Sequence, residues 1–189
     1  MPYRKESFYP GAYYHLYNRG VNREKIFFER ENYLFFLRQL RKYFKRELVS
    51  IIAYCLMPNH YHLIIYLNTN NLANIMQRFT LSYSKAINKR YSRVGALFQG
   101  PFKAIQVDRN EYLIHLSRYI HLNPVEANII NKAEDWEFSS YRDYIGIRKG
   151  TLIAPDIVLT QFNSRNDYEQ FVKKYEEKDI EFIRHLIIE

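Results

Sequence analysis

Apolar residues recur at two different spacings along this chain of 189 residues, and the spacing distinguishes its predicted strands from its predicted helices. Short runs rich in β-branched and aromatic residues, which are typical of strands, occupy Ala12 to Asn18, Leu48 to Leu56 and His60 to Leu67. Pro58-Asn59 separates the last two runs and is a turn signal, so we expect a hairpin there. A further strand, broken near Gly100-Pro101, is predicted for Phe98 to Val107.

Three longer segments carry apolar residues every three or four positions, which predicts helices. The first runs from Glu31 to Arg46 and the second from Leu72 to Tyr91. The third leads through Leu113 and Leu116 toward Asn123-Pro124. Because a residue that precedes proline avoids the helical region, we expect this helix to kink or break at Asn123.

The order of these elements, β-α-β-β-α-β-α, predicts an α+β fold in which helices pack on one face of a mainly antiparallel sheet. Beyond Trp136 the chain becomes short helical pieces, including Tyr168 to Glu177 and Ile180 to Ile188. The sequence therefore predicts a catalytic domain at residues 1–146, which contains the candidate site residues described below, and a helical C-terminal extension of unknown role at residues 147–189.

Charge and composition favour a polyanionic partner. The chain has 28 Lys and Arg against 20 Asp and Glu, a net charge of +8. Residues 164–189 carry more acidic than basic side chains, so the excess lies in the rest of the chain. Nucleic acid is a common partner of such a basic body, and its bases could stack on some of the 18 tyrosines. An aromatic core beneath a basic surface explains the same composition.

Cys55 is the single cysteine, which excludes an intrachain disulfide and a cysteine-based zinc site. It lies in an apolar run, and we expect it to be a small core residue. The sequence shows neither a signal peptide nor an apolar stretch long enough to span a membrane. We therefore expect a cytoplasmic protein without a membrane partner.

His60 and His62 begin the third predicted strand. Residues two apart on a strand share a face, so their imidazoles could hold one divalent metal ion together. A third ligand from Asp, Glu, Asn or Gln would suit Mg²⁺ or Mn²⁺, because both prefer oxygen. The alternative is that the two histidines make structural hydrogen bonds only.

Tyr119 and Asn123 form a second candidate cluster. Four positions apart on a helix, they share one face, so an asparagine oxygen could complete the metal site while the tyrosine serves as a nucleophile. Alternatively, Tyr119 is a core aromatic and Asn123 a helix-ending turn residue. Tyr112, two turns earlier on nearly the same face, is a rival nucleophile or a further core residue.

Several cations are candidates for binding DNA. We read His121 as a structural residue or a DNA contact, and His15 as a residue of the core or of the metal site. Exposed lysines on helices are commonly just solvated, which is the alternative for most of the candidates. The predicted DNA-binding residues are Arg78, Lys85, Lys89, Lys103 and Arg118.

Five motifs occur together in this order: YYHLYNRG (13–20), MPNHYHLII (57–65), FQGPFKA (98–104), RYIHLNPV (118–125) and WEFSSY (136–141). In order and approximate spacing they resemble the REP-associated tyrosine transposases. These are a branch of the single-tyrosine, HUH-type transposases of the insertion-sequence 200-like superfamily. The resemblance covers about residues 8–146.

The resemblance implies a ferredoxin-like fold that cuts and joins single-stranded DNA. His60 and His62 match the histidine pair, and Tyr119 matches the nucleophile that forms a 5′-phosphotyrosine link and releases a 3′-hydroxyl. Asn123 matches the third metal ligand, where other branches carry glutamine, and the expected metal is Mg²⁺ or Mn²⁺. The implied partner is single-stranded or hairpin DNA, and the protein would act as a monomer or homodimer.

Two positions depart from the family pattern. Pro101 and Glu126 stand where arginine is common, so positive charge is lost near the expected phosphate contacts. Two other functions stay open on the sequence: a non-catalytic, domesticated nucleic-acid-binding protein, and a metal-dependent phosphoesterase that uses water in place of the tyrosine.

Overall fold

A four-stranded antiparallel sheet lies at the centre of the computed structural model, which describes residues 7–176 and 178–187. The strand order is β2-β3-β1-β4, so the first strand lies between the third and the fourth. This is the ferredoxin-like arrangement, and it confirms the α+β class. The strands are β1 Ala12–Arg19, β2 Val49–Met57, β3 His60–Leu67 and β4 Lys103–Val107.

The helices cover both faces of this sheet. Helices α1 (Arg30–Tyr43) and α2 (Leu72–Arg90) share one face. There, Phe36 of α1 packs against Tyr61 of β3, with their ring centroids 5.1 Å apart. His62, the next residue of β3, points to the other face, toward helix α3 (Asn110–Glu126). The prediction of helices on one face therefore holds for α1 and α2 but not for α3. The reason is that β2 is buried along nearly its whole length, so both of its faces need cover.

Local signals set some element bounds well and others poorly. β3 spans the predicted residues, and the turn Pro58-Asn59 joins it to β2. The strand predicted at 98–107 is interrupted at the expected break near Gly100-Pro101. Phe98 forms an isolated antiparallel bridge with Gly20, and β4 pairs with β1. Helix α3 does not break at Asn123, because the backbone continues through the buried Pro124 and the amide of Ala127 bonds the carbonyl of Asn123.

The C-terminal extension packs against α3. Tyr168, in helix α6 (Arg165–Lys173), lies within hydrogen-bonding distance of Ser117 and His121. Asp179, in helix α7 (Lys178–Ile183), forms an ion pair with Arg118. Both predicted terminal segments contain helix, although Glu177 and Ile188 lie outside the described residues. The short helices are α4 Tyr141–Tyr144, α5 Asp156–Leu159, α6 Arg165–Lys173 and α7 Lys178–Ile183, followed by a 3₁₀ turn at Arg184–Leu186.

The core beneath α1 and α2 is aromatic. Phe36, Phe79 and Tyr83 are fully buried against one another, and the Tyr83 hydroxyl donates a hydrogen bond to the carbonyl of Ile26 at 2.7 Å. Cys55 is fully buried as a free thiol, which confirms its predicted place in the core. Among the described residues, no helix has the length and apolar character needed to cross a membrane.

Candidate active site

A cleft of about 650 Å³ opens where β1, β3 and α3 meet. Three of its lining residues, Arg19, Arg23 and Lys103, are cationic, and none of its described lining residues is acidic. A positive potential follows, and it favours an anion such as a phosphate. The other lining residues are Tyr17, Asn18, Asn59, His60, His62, Gln99, Gly100, Pro101, Tyr119 and Asn123.

His60 and His62 stand side by side at this cleft. Their ring centroids are 5.0 Å apart, and the strand register places His62 between Tyr17 of β1 and Cys55 of β2. Burial is the main cause that lowers the pKa of each imidazole below its ordinary value of 6.5. Both rings are therefore neutral at pH 7, which is the form that binds metal ions.

Asn59 determines which nitrogen of His60 carries the proton. The amide NH₂ of Asn59 donates to the carbonyl of Arg23 at 3.1 Å, so its Oδ1 points the other way and accepts from Nδ1 of His60 at 2.7 Å. The neutral ring then keeps a lone pair on Nε2. Nε2 itself lies 3.0 Å from Oδ1 of Asn123.

Two acceptor atoms thus face each other at the mouth of the site. Nε2 of His60 and Oδ1 of Asn123 repel when nothing lies between them, and a cation between them makes the arrangement favourable. Nitrogen and amide-oxygen ligands also suit Mn²⁺ or Mg²⁺. Within the described part of the chain no group of three or more His, Cys, Asp and Glu residues could hold a metal. The amide oxygen of Asn123 is therefore the candidate for the third protein ligand beside the two histidines.

Tyr119 lines the same cleft, one helical turn before Asn123 on α3. Its ring is half-buried and meets the ring of His62 edge-on, at 5.9 Å between centroids. Tyr112 instead packs against Phe182 and His185, and it does not line the cleft. Of the two tyrosines considered as nucleophile, only Tyr119 shares the site with the histidine pair.

Arg118 requires a correction to its predicted DNA-binding role. Its side chain is 4% exposed, its guanidinium lies 2.7 Å from the Asp179 carboxylate and it covers the ring of Phe171 at 4.1 Å. Adjacent helical residues point in different directions, so Arg118 faces the extension where Tyr119 faces the cleft. Arg118 therefore joins α3 to the extension and has no free surface for a nucleic acid.

The remaining predicted cations divide between two places. Lys103 lines the cleft, whereas Arg78, Lys85 and Lys89 are exposed on α2, on the opposite face of the sheet. These three cannot reach a phosphate held at Tyr119.

His121, which we read as structural or as a DNA contact, is fully buried. Its two ring nitrogens lie 2.7 Å from the Tyr168 hydroxyl and 2.8 Å from the Ser140 hydroxyl. Its role is structural. Of the two departures, Pro101 lines the cleft, and Glu126 is the exposed last residue of α3.

Sequence reasoning missed the contribution of the turn that follows β1. Arg19 and Arg23 line the cleft. Gly20 between them allows the backbone to pass close to Glu24, because a Cβ at Gly20 would lie 2.0 Å from the carbonyl oxygen of Glu24. The signal was present, since Arg19-Gly20 ends the first motif. Asn59 was also missed, although it directly precedes the histidine pair.

A cationic cleft with two neutral histidines, an amide oxygen and a tyrosine on a ferredoxin-like sheet is suited to binding and processing a phosphodiester. Such a site is the kind expected of an α+β domain that processes nucleic acid. The family model described as "Transposase IS200 like" matches residues 9–123, more than half of the chain. The chain belongs to this transposase family.

Individual relatives agree with this membership. A protein of Haemophilus influenzae, named there as a proposed REP-associated tyrosine transposase, is 26% identical over 101 residues, which cover 48% of this chain and 57% of that protein. The chain thus matches little more than half the length of this relative. A solved REP-associated tyrosine transposase bound to a REP hairpin shares the fold with a TM-score of 0.64 at 19% identity, covering 86% of this chain and 95% of that one.

Proposed function

We propose that this transposase-family protein is a metal-dependent endonuclease and strand transferase for single-stranded, hairpin-containing DNA. One observation carries the proposal: His60, His62, Asn123 and Tyr119 converge in a cleft whose charged residues are all cationic. They come from β3 and α3, which are far apart in sequence. No residue of a second copy is needed to complete the set, which favours action as a monomer.

The chemistry follows from the types of residue. The Tyr119 hydroxyl attacks the scissile phosphorus, forms a phosphorus–oxygen bond and breaks the bond to the 3′ oxygen. The phenol loses its proton and the departing oxygen gains one, which leaves a 5′-phosphotyrosine and a free 3′-hydroxyl. Attack by a 3′-hydroxyl on the phosphotyrosine reverses the step and joins strands without another energy source.

A divalent ion, Mg²⁺ or Mn²⁺, would be held by His60, His62 and Asn123, and would polarise the phosphate and stabilise its developing charge. The chain's own cations contribute beside it. Arg19, Arg23 and Lys103 neutralise phosphates along the strand and hold it in the cleft. With proline at position 101, these three residues carry the phosphate contacts within the cleft.

A denaturing gel tests the nucleophile. When single-stranded hairpin DNA is incubated with the protein and Mn²⁺ or Mg²⁺, we expect a covalent protein–DNA band. Tyr119→Phe removes the attacking oxygen but keeps the ring, so this band should disappear. The matched control is Tyr112→Phe on the same helix, which should leave the band unchanged because Tyr112 packs away from the cleft.

Other outcomes identify the rival functions. Cleavage without a covalent band, at equal rates in the native protein and Tyr119→Phe, would show a phosphoesterase that uses water. Hairpin binding without cleavage in either metal would show a domesticated binding protein. A covalent band that persists in Tyr119→Phe and vanishes in Tyr112→Phe would move the nucleophile to Tyr112.

A further inference from the structure

His15 of β1 connects the histidine pair to the C-terminal extension. It is fully buried, and its Nδ1 lies 2.7 Å from the backbone carbonyl oxygen of Leu186 in the 3₁₀ turn after α7. Its Nε2 lies 2.9 Å from Nδ1 of His62. The rings of His15 and His62 are nearly parallel, with centroids 5.1 Å apart.

The Leu186 carbonyl fixes the protons along this chain of contacts. A carbonyl oxygen only accepts, so Nδ1 of His15 must carry a proton and donate it. The ring of His15 is fully buried, and burial disfavours the charged imidazolium, so the ring is neutral. Its Nε2 is therefore an acceptor, and Nδ1 of His62 must donate to it. His62 then has its remaining lone pair on Nε2.

His60 and His62 thus reach the same state by separate routes. Asn59 accepts the Nδ1 proton of His60, and His15 accepts the Nδ1 proton of His62. Both rings keep the lone pair on Nε2, the nitrogen that in His60 faces Asn123. Two neighbouring histidines that share one tautomer are suited to binding one ion.

We propose that His15 is a positioning residue, which holds His62 in the Nδ1–H tautomer and presents its Nε2 to the divalent ion, with the Leu186 carbonyl as the fixed end. The inference rests on the proposed metal-dependent function. A neutral His62 in the other tautomer would direct an N–H bond at the cation and could not bind it. Orientation of a ligand by an outer partner commonly changes metal affinity about 10–100-fold.

Two conservative variants separate this role from simple core packing. The amide of glutamine reaches about as far along the side chain as Nε2 of histidine, so His15→Gln can still accept from His62. The amide of asparagine reaches only as far as Nδ1, so His15→Asn keeps the bond to Leu186 and loses the acceptor. Both variants place an uncharged amide in the same buried position, so we expect them to disturb core packing to a similar extent. A difference between the two variants then reports on the acceptor for His62.

Nitrogen-15 NMR of the metal-free full chain is the first measurement, because it distinguishes the two tautomers of each histidine. We expect His62 to carry its proton on Nδ1 in the native protein and in His15→Gln, and to lose this preference in His15→Asn. An Nε2–H tautomer of His62 in the native protein, or an unchanged Nδ1–H tautomer in His15→Asn, would overturn the inference.

Mn²⁺ binding to the same three proteins, followed by electron paramagnetic resonance, is the second measurement. We expect affinity about 10–100-fold weaker in His15→Asn and within a few-fold of native in His15→Gln. Equal affinity in all three overturns the positioning role and leaves the proposed function standing. No binding to the native protein overturns the proposed metal site, and His15 then has no ligand to position, even if the tautomer is as expected.

Discussion

At the scale of single residues, neighbouring positions on α3 have unrelated tasks. Tyr119 lines the cleft, whereas Arg118 is buried between α3 and the extension, where it pairs with Asp179. A buried ion pair contributes little compared with a well-packed apolar pair, but removal of one partner leaves an uncompensated charge. Arg118 therefore matters for the attachment of the extension and not for the substrate.

We expect Arg118→Ala to reduce the free energy of unfolding by about 2–3 kcal/mol, measured by urea denaturation. Removal of one partner from a fully buried pair costs about 3–5 kcal/mol, and the cost is smaller here because Asp179 keeps some contact with water. The control is Arg184→Ala, which breaks the exposed pair with Glu181 and should cost much less. A loss of DNA affinity in folded Arg118→Ala, with stability unchanged, would restore its predicted role in DNA binding.

At the scale of elements, α2 combines a buried apolar stripe with a basic outer face. Leu72, Ile75, Phe79, Tyr83 and Ile87 are buried, and the helix contains no acidic residue. Lys85 and Lys89 are exposed one turn apart on its outer face, and neither takes part in an ion pair within the described residues. Any DNA that they contact lies outside the cleft.

The double variant Lys85→Ala/Lys89→Ala should therefore weaken hairpin binding without changing the strand-cleavage step. Affinity falls as salt rises, and each lost phosphate contact makes the slope of log affinity against log salt less steep by about 1. We therefore expect the slope to be less steep by up to about 2. The yield of covalent adduct at saturating DNA should match that of the native protein. Lys173→Ala, which removes a lysine already paired with Glu169, is the control. An unchanged salt slope in the double variant would show that α2 is only solvated.

Comparison of elements shows which kinds of information the sequence contains. β3 was predicted at its observed bounds, because a β-branched run and the turn at Pro58-Asn59 are local signals. The course of α3 past Asn123 was not predicted, since the packing that buries Pro124 overrides the local preference. Likewise, helical spacing placed Tyr119 and Asn123 on one face but could not indicate what lies opposite Arg118.

The candidate site divides in the same way. The four residues proposed to act on the substrate and the metal have recognisable types and spacings, so the sequence alone was enough to predict them. They are His60, His62, Tyr119 and Asn123. The residues around them are recognised only by contact: His15 depends on a backbone carbonyl 171 positions away, and a carbonyl has no sequence signature. Asn59 and Arg23 also meet only because of the fold.

At the scale of the whole molecule, buried neutral histidines make the fold sensitive to acid. Burial lowers the pKa of His15 to about 4 and, together with the charge of Arg148, that of His121 to about 3, from an ordinary value of 6.5. At a pH between the ordinary value of 6.5 and these lowered pKa values, the unfolded chain binds protons on the two histidines that the native protein does not. Stability is therefore complete above about pH 6.5 and is lost as the pH falls toward 4.

We expect the free energy of unfolding to fall as the pH falls, with a slope that approaches about 2.7 kcal/mol per pH unit, about 1.36 kcal/mol from each of these two histidines. His60 and His62 act in the same direction. Urea denaturation at a series of values between about pH 7 and pH 5 measures the slope. A free energy that stays constant over this range would contradict the neutral, buried state of these histidines.

The two-residue turn between β2 and β3 limits how this protein can be altered. Short hairpin turns are usually good places to insert a tag or a new loop. Here the Pro58 carbonyl accepts from the amides of Ile26 and Phe27, the Asn59 carbonyl accepts from Gly20, and the Asn59 side chain holds His60. An added residue would move Pro58 and Asn59 relative to His60 and break some of these hydrogen bonds. Engineered insertions and natural length variation should therefore avoid this turn, although by position alone it is an obvious place for them.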